Sequence, residues 1–190
     1  MASTMETRTV NGIELPPPGR YAFDTQHTTV GFVARHMLSK VRGRFTAFDG
    51  QVTIGATPEE SSVQVEIQAD SITTDSQMRD DHLRSADFLE VEEHPTLRFT
   101  STELRPGEGR TFELDGDLTV RGITRPVTLE ATFLGHGPGA RGGTIAAFSA
   151  STTIDREDWD LTWNVAVETG GLLVGKKVEI VIDAELLLQD

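Results

Sequence analysis

The stretch Val178 to Leu188, VEIVIDAELLL, decides the fold class. Val178, Ile180, Ile182, Ala184, Leu186 and Leu188 fall at every second position, with Glu179, Asp183 and Glu185 among the residues between them. A period of two puts one set on each face of a β-strand, so this segment reads as a long strand with one buried face. The same alternation returns upstream: Phe48, Val52, Ile54; Val63, Val65, Ile67, Ala69; Phe112, Leu114, Leu118, Val120; and Val127, Leu129, Ala131, Phe133. GATPEE, RPGEGR, RGITRP and GHGPGARGG separate several of these runs and are rich in turn residues. With RYAFDTQ, TTVGFVAR, TLRFTSTEL and TIAAFSASTTID the count reaches about eight or nine strands, joined mostly as hairpins. Amphipathic antiparallel strands must close on themselves or stack as two sheets, because open edges invite aggregation. The expected fold is therefore all-β, an antiparallel barrel of about eight strands, with a sandwich as the alternative. Gly116 and Gly122 permit the bends that barrel closure requires.

A chain of 190 residues suits one such domain. Residues 1–19 are polar and end in Pro16, Pro17, Pro18 and Gly19, and read as a flexible lead-in, leaving 20–190 as the barrel domain. Thirty acidic against seventeen basic side chains give a formal charge of −13, which repels a phosphate backbone and makes nucleic acid an unsuitable partner. Absence of cysteine excludes disulfides and thiolate metal sites. No signal peptide and no transmembrane segment is visible, so a soluble, cytoplasmic protein is expected.

One stretch breaks the β pattern. TTDSQMRDDHLRSADFL, Thr73 to Leu89, reads as a short helical insertion around residues 75–89, capped by Thr74 or Asp75, with Asp75–Arg79 and Asp80–Arg84 as i,i+4 pairs. Arg79, Leu83 and Ala86 share a face. Two readings stand: a solvated helix whose charges pair with each other, or a lid over a barrel mouth with Arg79, Asp80 or His82 fixing the head of a ligand. Asp80 and His82, with His27 and His36, supply acid–base groups, but no nucleophile elbow, phosphate loop or HExxH motif accompanies them, so no catalytic residue is assigned. The five histidines include no two that are three to five apart, and neither a metal site nor a cofactor is expected. His94 reads as a strand-entry residue and His136 as part of a Gly-rich loop.

Four separated blocks, DTQHTTVGFVARHMLSKVRGRFTAFDG, TTDSQMRDDHLRSADFLEVEEHPTLRFTS, DGDLTVRGITRPV and LTWNVAVETGGLLVGKKVEI, resemble the YceI-like, polyisoprenoid-binding family over roughly residues 20 to 185. Matching positions are Asp24, His27, Phe32 and His36; Arg79, Asp80, His82, Leu83, Phe88, Pro95 and Phe99; Gly116, Leu118, Thr119, Gly122 and Thr124; and Trp163, Asn164, Gly170 and Gly171. One departure is Asp160 after Trp159, where relatives carry Gly after the aromatic. The resemblance implies an extended lipocalin-like barrel with a long apolar tunnel, no established catalytic residues, and a homodimer as a plausible state. Implied partners are an isoprenoid quinone, a polyprenyl phosphate or pyrophosphate, or another long-chain lipid. The tail is then expected among Phe32, Phe45, Phe48, Leu83, Phe88, Phe99, Phe148 and Trp163, and the head near His36, Arg79, Asp80 and His82. For any single Phe, filling a core is the favoured reading. A filled barrel acting as a protein-interaction module is the runner-up, and a weak enzyme on a bound isoprenoid the third reading. Cavity volume separates the first two.

Overall fold

The computed structural model describes residues 8–10, 12–140, 142–168 and 171–189, with only the backbone of Arg8 and Val10. Gly170 and residues 1–7 of the lead-in lie outside the described residues. The strands are β1 (Arg8–Val10), β2 (Ile13–Leu15), β3 (Gly19–Phe23), β4 (Thr29–His36), β5 (Ser39–Phe45), β6 (Phe48–Ile54), β7 (Ser62–Gln68) and β8 (Ile72–Thr73). The helix α1 (Gln77–Arg84) follows, then β9 (Thr96–Pro106), β10 (Thr111–Val120), β11 (Ile123–Pro138), β12 (Thr144–Asp155) and β13 (Val174–Leu188).

Three pairs of short strands act as single bent staves. β3 and β4 both pair antiparallel with β13, at Phe23–Leu186 and Thr29–Asp183. Between them the Asp24 carboxylate accepts from the Gln26 amide at 3.0 Å, an Asx turn, and the Thr28 hydroxyl exchanges 3.1 Å hydrogen bonds with the Glu185 backbone in place of the missing ladder bonds. β5 and β6 pair in turn with β4 and β3, and β8 and β7 with β5 and β6. Counted this way, eight staves close into an antiparallel barrel, the last seam being β13 against β3 and β4. Successive staves are neighbours throughout, as in an up-and-down barrel.

Alternation builds the wall as the sequence predicts. Along β10, Phe112, Leu114, Gly116, Leu118 and Val120 are buried while Thr111, Glu113 and Asp117 are exposed. Gly116 has a steric reason to be glycine: a Cβ there would stand 2.4 Å from Cζ of Phe99, whose ring lies across it, and the β9–β10 register shifts at Asp115/Gly116. Gly43 is covered by Phe32 in the same manner. Aromatic rings over strand glycines let the sheet curl while keeping the inner face apolar.

Two expectations are corrected. The fold begins before Arg20: β1 pairs with β2, Leu15 packs with Phe112, Ala131 and Phe133, and Pro16 is fully buried. The helix is shorter than 75–89, and Ser76 is its N-cap, with no side-chain cap bond from Thr74 or Asp75. Neither i,i+4 pair forms. Asp75 pairs with Arg44, Arg84 with Asp81, and Asp80 turns inward.

Candidate functional site

The barrel encloses a cavity of about 360 Å³. It runs from Leu15, Pro16 and Pro58 at one end to Leu83, Phe88, Trp159 and Val174 at the other, here called the helix end. Wall residues on β10 extend from Phe112 to Val120, about 27 Å of strand at ~3.4 Å per residue. Eight of the nine phenylalanines line it, all but Phe133. Phe32, Phe45, Phe48 and Phe148 point inward yet are only half-buried, because the space they face is not filled by other side chains. A volume in the ~300–1,000 Å³ range of ligand pockets makes this a hollow barrel rather than a packed one.

Polar residues are scarce in the wall: Ser61 and Ser62 at one end and Arg156 at the other. Arg156 opens a 3-10 turn, Arg156–Trp159, after β12, and is 3% exposed. Its guanidinium donates to the backbone carbonyls of Gly175 at 3.0 Å, Leu161, and Val174 at 3.5 Å. Burial depresses its pKa from the usual arginine value, against the opposing charges of Glu157 and Asp155, yet an arginine remains charged. Those two carboxylates are held by Lys176 and Lys177. Of its five N–H groups, three are engaged by these carbonyls.

Trp159 closes the same turn. It is 2% exposed, lines the cavity, and donates its indole N–H to the Leu118 carbonyl at 3.0 Å. The next residue, Asp160, adopts the left-handed conformation, φ 59° and ψ 24°, and its amide donates to Glu157 at 3.0 Å. That geometry explains why glycine suits this position. The Asp160 side chain is exposed, and its carbonyl, which accepts from Arg121, survives substitution. Asp160→Gly is therefore expected to stabilise the fold by up to about 1 kcal/mol, raising Tm by about 2–4 °C in a thermal melt.

Of the candidate residues named from the sequence, Phe32, Phe45, Phe48, Leu83, Phe88, Phe99 and Phe148 line the cavity, whereas His36, Arg79, Asp80, His82 and Trp163 do not. Arg79 donates through Nε and Nη2 to the Thr74 hydroxyl and carbonyl, at 2.7 and 3.0 Å, rather than facing inward with Leu83, and Ala86 is exposed. His82 binds Asp87 at 2.8 Å and stacks edge-on against Phe88 and Trp163, with centroids 5.0 and 4.5 Å away. His36 sits in the β4–β5 hairpin, its carbonyl accepting from Ser39. Asp24 and His27, at the β3–β4 bend, lie with Glu185 so that one donor atom of each falls within 4.8 Å of the others. His spacing gave no hint of this cluster, because Glu185 arrives from the far end of the chain.

Asp80 has a structural task. It is 5% exposed and accepts from the Thr74 amide at 2.7 Å, the Thr74 hydroxyl at 2.6 Å and the Thr73 hydroxyl at 3.0 Å, pinning α1 to β8. Arg84 completes the seam by donating to the carbonyls of Asp70 and Ile72, both at 2.8 Å. Desolvation raises the Asp80 pKa, but the Thr74 and Thr73 hydrogen bonds and the Arg84 charge outweigh it and hold the group below its ordinary value. Folding thus favours the ionised form. Its contribution is complete above the unfolded value of about 3.9 and is lost as pH falls through the lower folded value. Asp80→Asn should cost about 1–3 kcal/mol at neutral pH by turning an amide toward the Thr74 N–H, and the penalty should shrink below about pH 4. Urea titrations of both proteins across that range check it.

An eight-stranded antiparallel barrel around an apolar cavity is a lipocalin-like architecture. The chain belongs to the family described as the YceI-like domain, which matches residues 21–186. It is 42% identical over 147 residues to a UPF0312 protein of Ectopseudomonas mendocina, covering 75% of this chain and 76% of the relative. It is also 37% identical to Protein YceI of Salmonella arizonae, covering 84% and 81%. Among solved structures, BcnA of Burkholderia cenocepacia matches with a TM-score of 0.73 at 23% identity, over 86% of this chain and 98% of that one. A polyisoprenoid binding domain from Saccharophagus degradans, implicated in plant cell wall breakdown, matches with a TM-score of 0.63 at 16% identity, over 89% and 98%. Among the described residues no helix is long and apolar enough to cross a membrane.

Proposed function

We propose that this chain binds, and stores or carries, a long-chain amphiphile of the polyisoprenoid type, with its tail in the cavity and its head beside Arg156. The observation that carries this is the 360 Å³ cavity walled by eight phenylalanines and aliphatic side chains. Enclosing hydrocarbon releases about 0.8 kcal/mol per CH₂, so each five-carbon unit contributes a few kcal/mol without any specific contact. Several units then exceed the ~4–15 kcal/mol cost of association. Isoprenoid quinones and polyprenyl phosphates or pyrophosphates fit this chemistry. The reading is non-catalytic, since the acid–base candidates Asp80 and His82 stand outside the wall.

Arg156 favours a phosphate over a hydroxyl head, because a planar guanidinium pairs with two phosphate oxygens. The test measures affinities for a prenyl alcohol and the matching prenyl phosphate. Affinity for both should rise with chain length until the cavity is full. The phosphate-to-alcohol preference should fall about tenfold in Arg156→Met, a ratio that a general loss of stability leaves unchanged. Absence of chain-length dependence would sink the carrier reading, and an unchanged ratio would remove Arg156 from the head site.

A further inference from the structure

The β4–β5 hairpin carries features that the fold does not need. Its two-residue tip is Met37 and Leu38, between the paired residues His36 and Ser39. Leu38 is 94% exposed and Met37 48%. Met37 adopts φ 51°, a left-handed conformation that an unbranched apolar residue enters only under strain. Glycine at that first position followed by a polar residue would make the turn without that strain or the exposed apolar surface.

The outer face of the hairpin is cationic. Arg35, Lys40, Arg42 and Arg44 are all exposed, and no acidic residue lies between Val30 and Phe45. Arg35 and Lys40 are direct cross-strand partners, a like-charge juxtaposition that weakens a sheet. Arg44 pairs with Asp75. Among the described side chains, Arg35, Lys40 and Arg42 are the basic ones that neither donate a hydrogen bond nor pair with a carboxylate, and all three are here. In a chain of net charge −13, that is a local reversal of sign.

The loop beside the tip adds apolar surface, with one exposed carboxylate, Glu168. The Met37 amide donates to the Leu173 carbonyl, and the Leu173 amide to the Val165 carbonyl, joining the hairpin to a loop that exposes Val165 and Leu172. A tip of exposed Met and Leu backed by unpaired cations complements one kind of surface, a bilayer with anionic headgroups: apolar side chains enter the interfacial layer while the cations meet phosphates.

We propose that the β4–β5 hairpin docks this protein on anionic lipid bilayers, with Met37 and Leu38 inserted and Arg35, Lys40 and Arg42 on the headgroups. Docking turns the helix end of the barrel, with Arg156 in its wall, toward the membrane. The docking stands on these surface features alone; its use in loading or delivering a lipid rests on the carrier reading.

Flotation of the full chain with phosphatidylcholine vesicles, with or without phosphatidylglycerol, tests it at low and moderate salt. Binding should require phosphatidylglycerol and weaken with salt. Lys40→Ala with Arg42→Ala should weaken it about tenfold or more, as each cation near such a surface contributes roughly fivefold. Leu38→Asp should abolish it, with thermal melts like that of the parent because the side chain is exposed. Equal binding to both vesicle types, or variants that bind like the parent, would overturn the proposal. So would a parent that is dimeric in sedimentation and becomes monomeric in Leu38→Asp without binding vesicles, since the hairpin would then meet a second copy. Vesicle binding by a protein that takes up no lipid would keep the docking and discard the carrier reading.

Discussion

Replacing Ala150 and Ala184 together with phenylalanine is expected to weaken binding of a long polyprenyl lipid about a hundredfold or more while the barrel stays folded. Both alanines line the cavity. Ala184 sits opposite Phe148, and Ala150 opposite Ile182 and Ala131, so two added rings enter the open middle of the cavity. Each displaced CH₂ forfeits about 0.8 kcal/mol, and excluding one five-carbon unit therefore costs about 4 kcal/mol of binding. In a packed core the same change would strain the structure by about 1–3 kcal/mol. Here the rings meet empty space, and Tm should hold or rise. Fluorescence titration beside a thermal melt separates the outcomes. Unchanged affinity in a folded variant would place the ligand elsewhere, and a large fall in Tm would mean that the interior has no room.

The largest stability effect is expected at Trp159. Its indole plugs the helix end of the cavity and donates a hydrogen bond to the Leu118 carbonyl. Trp159→Ala removes that volume together with the hydrogen bond, for an expected loss of about 3–5 kcal/mol. For a chain of this length that lowers Tm by about 6–20 °C. Trp159→Phe keeps much of the volume and loses the N–H, and should cost about half as much. Urea denaturation of the three proteins orders them. A loss below about 1 kcal/mol for the alanine variant would show that the turn holds without its plug.

The barrel was legible because alternation is local. Each strand displays its buried face in its own residues, from Phe112–Val120 to Val178–Leu188, and the RGITRP separator does hold a turn, at Arg121 and Gly122 with positive φ, so that Gly122 lies in the hairpin rather than at a bend within a strand. The bent staves were not legible as units, since nothing local shows that β3 and β4 share β13 as a partner. Apolar wall residues followed from the same phase, but the polar ones did not. On the helix, Arg79 and Asp80 have the chemistry of a head-group site. Their partners, Thr73 and Thr74, lie just upstream, and only the fold around α1 turns them into a seam. Arg156 was missed for the opposite reason: an arginine after a strand usually reaches solvent, and its burial comes from carbonyls of residues 161, 174 and 175.

The most direct measurement is native mass spectrometry of protein purified without detergent, followed by organic extraction of what it carries. A stoichiometric adduct of isoprenoid or other long-chain lipid mass, missing from the Ala150→Phe, Ala184→Phe protein, is the expected result. A bare polypeptide mass that remains bare after incubation with prenyl alcohols and prenyl phosphates would contradict a lipid-binding barrel.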